Sequence, residues 1–280
     1  MKSSNPVFAR SEGFNGRVDP NAYPNPVGGY AGFGDAPATH QVPGSVAPGA
    51  MSLDSVVQKT GITLGVLVIA AAATWMFSGD PTGFGVNAEA AARNLYVLSM
   101  VGAFGAFILS LVNSFKKVVS PALVLAFAAL EGVFLGATSK VFQLAFGPGV
   151  VPGAVIGTIG AFAGTLIAYR FFHIKVGDKF RMWVVGAMFG FVGVSLLNMV
   201  LGFFGADFGF NGFGTMGLIA SAIGLGLGVL MLILDFDFVE RGIAVGLPEN
   251  ESWRAAFGLT VSLVWIYINL LRILAILRGD

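Results

Sequence analysis

Residues 215–234 read TMGLIASAIGLGLGVLMLIL, twenty positions in a row with no charged side chain. The hydrocarbon core of a bilayer is about 30 Å thick, and a helix needs about 20 apolar residues to cross it. Read outward in both directions, the chain repeats this texture. Seven long apolar segments lie almost end to end between residues 60 and 277, and charged residues collect between them. The sequence predicts an all-α fold: a polytopic membrane protein built as a bundle of seven transmembrane helices.

Composition agrees. Charged residues make up 11% of the chain, against about 25% in soluble domains. Many of the 40 glycines fall inside the apolar segments, where small residues let helix backbones approach closely. A net charge of +1 leaves no electrostatic footprint for nucleic acid. Without cysteine there is no disulfide framework, thiolate nucleophile or cysteine metal site. His40 and His173 are the only imidazoles, too few for a histidine-rich metal centre.

Before the first span the texture changes. Residues 1–50 mix Gly, Pro, Asn and Ser with scattered aromatics such as Phe8, Tyr23 and Phe33. No apolar segment of signal-peptide type is present there. Such a stretch buries too little surface to offset the entropy of ordering. Residues 1–53 are therefore expected to be a disordered tail, dispensable for folding, and residues 54–280 the transmembrane domain.

The spans fall at residues 55–77, 91–115, 121–139, 152–172, 180–203, 215–238 and 253–277. Turn chemistry separates them, as in Ser78-Gly-Asp-Pro and Phe146-Gly-Pro-Gly. Pro121 follows Ser120 as a helix-starting proline. Lys and Arg in short loops set orientation. Lys116, Lys117, Arg170, Lys175, Lys179, Arg181, Arg241 and Arg254 belong to alternate loops on one side. The other side has Arg93 and Lys140 before the C-terminal Arg272 and Arg278. The bias places the N-terminus in the cytoplasm and, with seven full spans, the C-terminus outside. A re-entrant seventh span would return the C-terminus to the cytoplasm.

An ionisable residue inside a span is expensive and is a functional candidate by default. Glu131 lies eleven residues beyond Ser120, about 16 Å along the helix and near the midplane. It could carry protons or coordinate a cation, or it could hydrogen-bond a neighbouring helix and only glue the bundle. Asp235 closes the uncharged run, about 30 Å from its outer end and close to the cytoplasmic boundary. It is expected to face inward. Asp237 and Arg241 are four apart and can pair; with Glu240 they read as a solvated helix end. Asn113, Asn198 and Asn269 suit interhelical hydrogen bonds. Arg272 is expected to snorkel to the outer surface.

Enzyme signatures are missing. No His-Glu-x-x-His, Gly-x-Ser-x-Gly or lysine-bearing phosphate loop occurs. Intramembrane aspartyl proteolysis would want two facing acids, and one good Asp is visible.

The Glu131-Gly132 step in span three, the Leu234-Asp235-Phe236 step in span six and the Asn269-Leu-Leu-Arg272 step in span seven, in that order, resemble the Bax inhibitor-1, or transmembrane Bax-inhibitor-motif, family. The opening Met1-Lys-Ser-Ser-Asn-Pro-Val-Phe8 is similar to that of a bacterial branch with an extended N-terminal tail. The resemblance covers about residues 55–278. It implies a multi-pass protein of a bacterial inner membrane and a pH-sensitive calcium leak, with calcium or protons as permeant ions and no bound cofactor. The family associates gating with paired Asp residues on spans six and seven. Asp235 matches the first. The second has no counterpart: the position three before Asn269 is Ile266, and no acid occurs between Glu251 and Asp280. Some bacterial relatives are instead linked to a membrane-bound quality-control protease, which would make the chain a non-transporting regulator. A small-solute transporter is a third reading, disfavoured because no inverted repeat is visible.

Overall fold

A computed structural model of the chain describes residues 49–82, 86–172, 174–206 and 208–279. The expected disorder of residues 1–48 lies outside this range, as do His40 and His173.

Among the described residues are seven helices: α1 (Leu53–Phe77), α2 (Val86–Phe115), α3 (Pro121–Phe146), α4 (Val150–Phe171), α5 (Asp178–Phe203), α6 (Thr215–Ala244) and α7 (Glu251–Gly279). All seven are long and apolar enough to cross a membrane. Three outrun the apolar reading by five residues or more at one end. α2 starts earlier, α3 runs on to Phe146, and α6 continues through Asp235 and Asp237 to Ala244. Hydropathy marks where lipid ends, whereas a helix stops only where its backbone does. α6 stops after Val245, where Gly246 takes a φ of +68°. α7 is unbroken for 29 residues, one continuous helix and not a hairpin, and long enough for a full crossing.

α7 packs against α1, α3, α4 and α6. It has the most buried span, followed by α3 and α6. Lipid is as apolar as leucine, so the buried face of a membrane helix is marked by small and weakly polar residues. α7 buries Ser252, Ala256, Thr260, Ser262 and Ala275. α3 meets α1 through Gly132 and Gly136. A Cβ on Gly136 would lie 2.9 Å from the Ala71 Cα, and one on Gly132 2.8 Å from the Ala70 Cβ. α2 and α5 present their bulky residues outward, among them Phe104, Phe107, Trp183 and Phe189.

Side chains tie the helix ends together. At the end rich in Lys and Arg, Arg254 donates to the Lys117 carbonyl at 2.9 Å. At the opposite end Lys140 donates to the Trp75 carbonyl at 2.9 Å and the Gly79 carbonyl at 2.5 Å, satisfying the last turn of α1. Arg278 likewise reaches the Pro148 carbonyl.

Residues 49–53, assigned to the tail from composition, belong to the bundle. Ser52 caps α1 in a reciprocal box with Ser55, and the Ser55 hydroxyl meets that of Ser252 at 2.6 Å. The Met51 amide donates to the Leu247 carbonyl at 2.7 Å, and the Glu249 amide to the Gly49 carbonyl at 2.9 Å. Met51 is fully buried over Gly242, in one cluster with Val56, Leu232, Phe236 and Leu259. Lys59 adds an ion pair to Glu249 at 2.9 Å and lies 5.8 Å from the Trp253 ring centre.

Candidate functional site

Asp235 sits nine residues before the end of α6, about 14 Å inside it. α6 runs on past it to Ala244, so Asp235 is flanked by helix on both sides. Its Oδ2 accepts a hydrogen bond from the Ser262 hydroxyl of α7 at 2.5 Å. A Cβ at Gly258, one turn before Ser262, would lie 3.0 Å from Oδ1. Gly258 and Ser262 therefore form a small-residue notch that admits the carboxylate between the two helices. A carboxylate has about four acceptor positions, and Ser262 fills one. An ionised Asp235 in these apolar surroundings calls for a cation or a proton.

Ile266, the position compared with a second acid, is fully buried and packs with Leu232 and Phe236. Ser262 is the α7 residue facing Asp235. Its signal in the sequence was the Gly258-x-x-x-Ser262 spacing, a small-residue pair one turn apart that charge-counting passes over.

Glu131 lies about 15 Å into α3, ten residues after Pro121. It lines a cavity of about 220 Å³ between α2, α3 and α7, with Ser110, Phe107, Phe127, Phe134 and Trp265. No hydrogen bond or ion pair reaches its carboxylate from the described residues, so the gluing role is not the one observed. The two acids lie at similar depth on different sides of α7. Val261 and Val264 wall the Glu131 cavity, whereas Gly258 and Ser262 face Asp235.

The remaining candidates hold the frame. Asp237 is buried and not part of a solvated end. Its two oxygens take Arg181 of α5 and Arg241, each at 2.9 Å. Arg241 also donates to the Val176 carbonyl. This clamp fastens α5, which buries only Val184 and Asn198 along its length. Asn269 bonds within its own helix, to the Trp265 carbonyl at 2.8 Å, and not across helices. Its amide fills the space left by Gly224 on α6. Asn113 does cross helices, to the Leu123 carbonyl at 3.3 Å. Asn198 accepts from the Phe208 amide at 3.1 Å in the loop after α5. Arg272 turns to the Phe210 and Gly212 carbonyls, both at 3.2 Å, and closes the α5–α6 connection over α7.

A larger cavity of about 520 Å³ opens between α1 and α4, with Leu67, Ala71, Trp75, Val155 and Tyr267 in its walls and no ionisable carboxylate or amine. Among the described residues, no three His, Cys, Asp or Glu side chains gather as a metal site.

The fold is thus that of a multi-pass membrane protein with single acids set against the flanks of a central helix. The family described as Bax inhibitor 1 like matches residues 5–279, nearly the whole chain, and the protein belongs to it. Comparison with curated proteins finds no match.

Proposed function

We propose that the protein provides a cation pathway across a bacterial inner membrane, a calcium leak or a proton-coupled route, with its N-terminus in the cytoplasm. The observation behind this reading is Asp235, an acid held between α6 and α7 by one hydroxyl, with no basic partner among the described residues. In this reading Asp235 binds a cation when ionised and releases it when protonated, with the Ser262 hydroxyl as its hydrogen-bond partner on α7. Glu131 is the alternative acid at the same depth. The Lys and Arg bias at the Asp237 end makes that end cytoplasmic.

The competing reading is a non-transporting regulator of a membrane-bound quality-control protease or of a stress response. The seal of Met51 over the α6–α7 connection gives it footing, because that end is closed by apolar packing. Purified protein in calcium-free liposomes, with an enclosed fluorescent calcium reporter, separates the two. A leak expects calcium entry above that of empty liposomes, reduced in Asp235→Asn. Entry equal to that of empty liposomes at every pH tried favours the regulator.

A further inference from the structure

We propose that the cavity beside Glu131 is a binding site for a small lipophilic ammonium cation that enters from the bilayer. Four aromatic side chains, Phe107, Phe127, Phe134 and Trp265, surround one carboxylate that nothing in the described structure neutralises. An ammonium is attracted to aromatic faces by their quadrupole and to a carboxylate by its charge. Neither attraction is open to a neutral lipid chain, which would leave the acid unanswered.

The Trp265 and Phe127 walls are braced before any ligand arrives. The Trp265 indole donates to the Gly224 carbonyl at 2.7 Å and meets Phe191 edge-on. Phe127 is braced by Phe257, with ring centres 4.9 Å apart. Pre-set walls lower the ordering cost of binding. Phe107, on the outward face of α2, is largely exposed where the bundle meets lipid. The mouth therefore selects a ligand that partitions into hydrocarbon. A volume of about 220 Å³ is below the usual range for drug-sized ligands, about 300–1,000 Å³. One ring with an alkylated ammonium is the scale that fits. The site does not rest on the Asp235 pathway, because the Asp235 notch is built on Gly258 and Ser262, a different face of α7 from Val261 and Val264.

Radiolabelled benzyltrimethylammonium, whose charge does not titrate, is the probe. It is measured by scintillation proximity on the purified full chain, from neutral to alkaline pH. The expected result is saturable binding that weakens about tenfold or more in Glu131→Gln, the loss of one charge-assisted contact. Glu89→Gln, which removes an exposed carboxylate at the start of α2, leaves it unchanged. The neutral isostere neopentylbenzene does not compete. Ala103→Phe, which narrows the cavity without touching the acid, also abolishes binding and serves if Glu131→Gln fails to fold. Absence of saturable binding at every pH overturns the proposal. So does wild-type affinity in folded Glu131→Gln or folded Ala103→Phe, or equal competition by the neutral isostere.

Discussion

Asp235 and Asp237 are two residues apart on one helix and have opposite surroundings. Positions i and i+2 point to different faces; one finds a serine on α7 and the other two arginines. The difference sets their variants apart. Asp235→Asn removes the charge from the proposed pathway and is expected to cut calcium entry into liposomes several-fold while leaving the melting temperature nearly unchanged. Ser262→Asp would set a second acid opposite the first. Two coupled carboxyls titrate as a pair, so calcium flux in that variant should fall more steeply as pH falls than in the unmodified protein. An unaltered pH profile would separate Ser262 from the pathway. Asp237→Ala acts on stability. It leaves two guanidinium groups unpaired; because both are about half exposed, the cost is expected near 1–2 kcal/mol and not the larger penalty of a fully buried pair. A thermal melt in detergent reads it.

Among the elements, α3 shows how a membrane helix is held without a hydrophobic driving force. Gly132 and Gly136 bring its backbone against that of α1, so association rests on close van der Waals contact. Gly136→Leu must push α1 away and is expected to lower the melting temperature sharply. Gly160→Ala on α4, where an added methyl meets nothing within 4 Å, is expected to be neutral. Equal effects in the two melts would show that the α1–α3 contact does not govern stability. α5 is the contrasting element. With few buried residues of its own, it depends on the Asp237 clamp at one end. At the other, its connection to α6 is held by Arg272 and by the Ser195–Asn211 bond of 2.8 Å.

At the scale of the whole molecule, the bundle is sealed at its basic end by the segment that leads into α1. Met51→Ala would leave a hole in that cluster and is expected to cost about 2–5 kcal/mol. Deleting residues 2–48 removes none of the described contacts and is expected to leave the melting temperature near that of the full chain; deletion through Met51 should lower it. Similar melts for the two truncations would show that the seal contributes nothing. Orientation can be read in cells, because the native chain has no cysteine to interfere. A cysteine placed at Lys116 is expected to stay unlabelled by an impermeant reagent in intact cells, and one at Pro148 to react.

What the chain by itself determined was everything that depends on transfer to lipid. The number of spans, their order, the Lys and Arg bias and the two isolated acids Glu131 and Asp235 are all costs or gains of moving one residue at a time into hydrocarbon. Each can be counted along a line. What needed the tertiary structure was everything that depends on a second helix. Nothing near Asp235 in sequence points to Ser262, which lies 27 positions away on α7. Asp237 read as solvated because its partner Arg181 lies 56 positions earlier. Met51 read as tail because its burial is supplied by Gly242 and Leu247. The true length of α6 was hidden because its last turns are polar, and the acids that end a hydropathy run do not end a helix. In a membrane bundle the lipid-facing surface is written in composition. The inner surface is written in which small residues oppose which polar ones, and only the packed helices decide that.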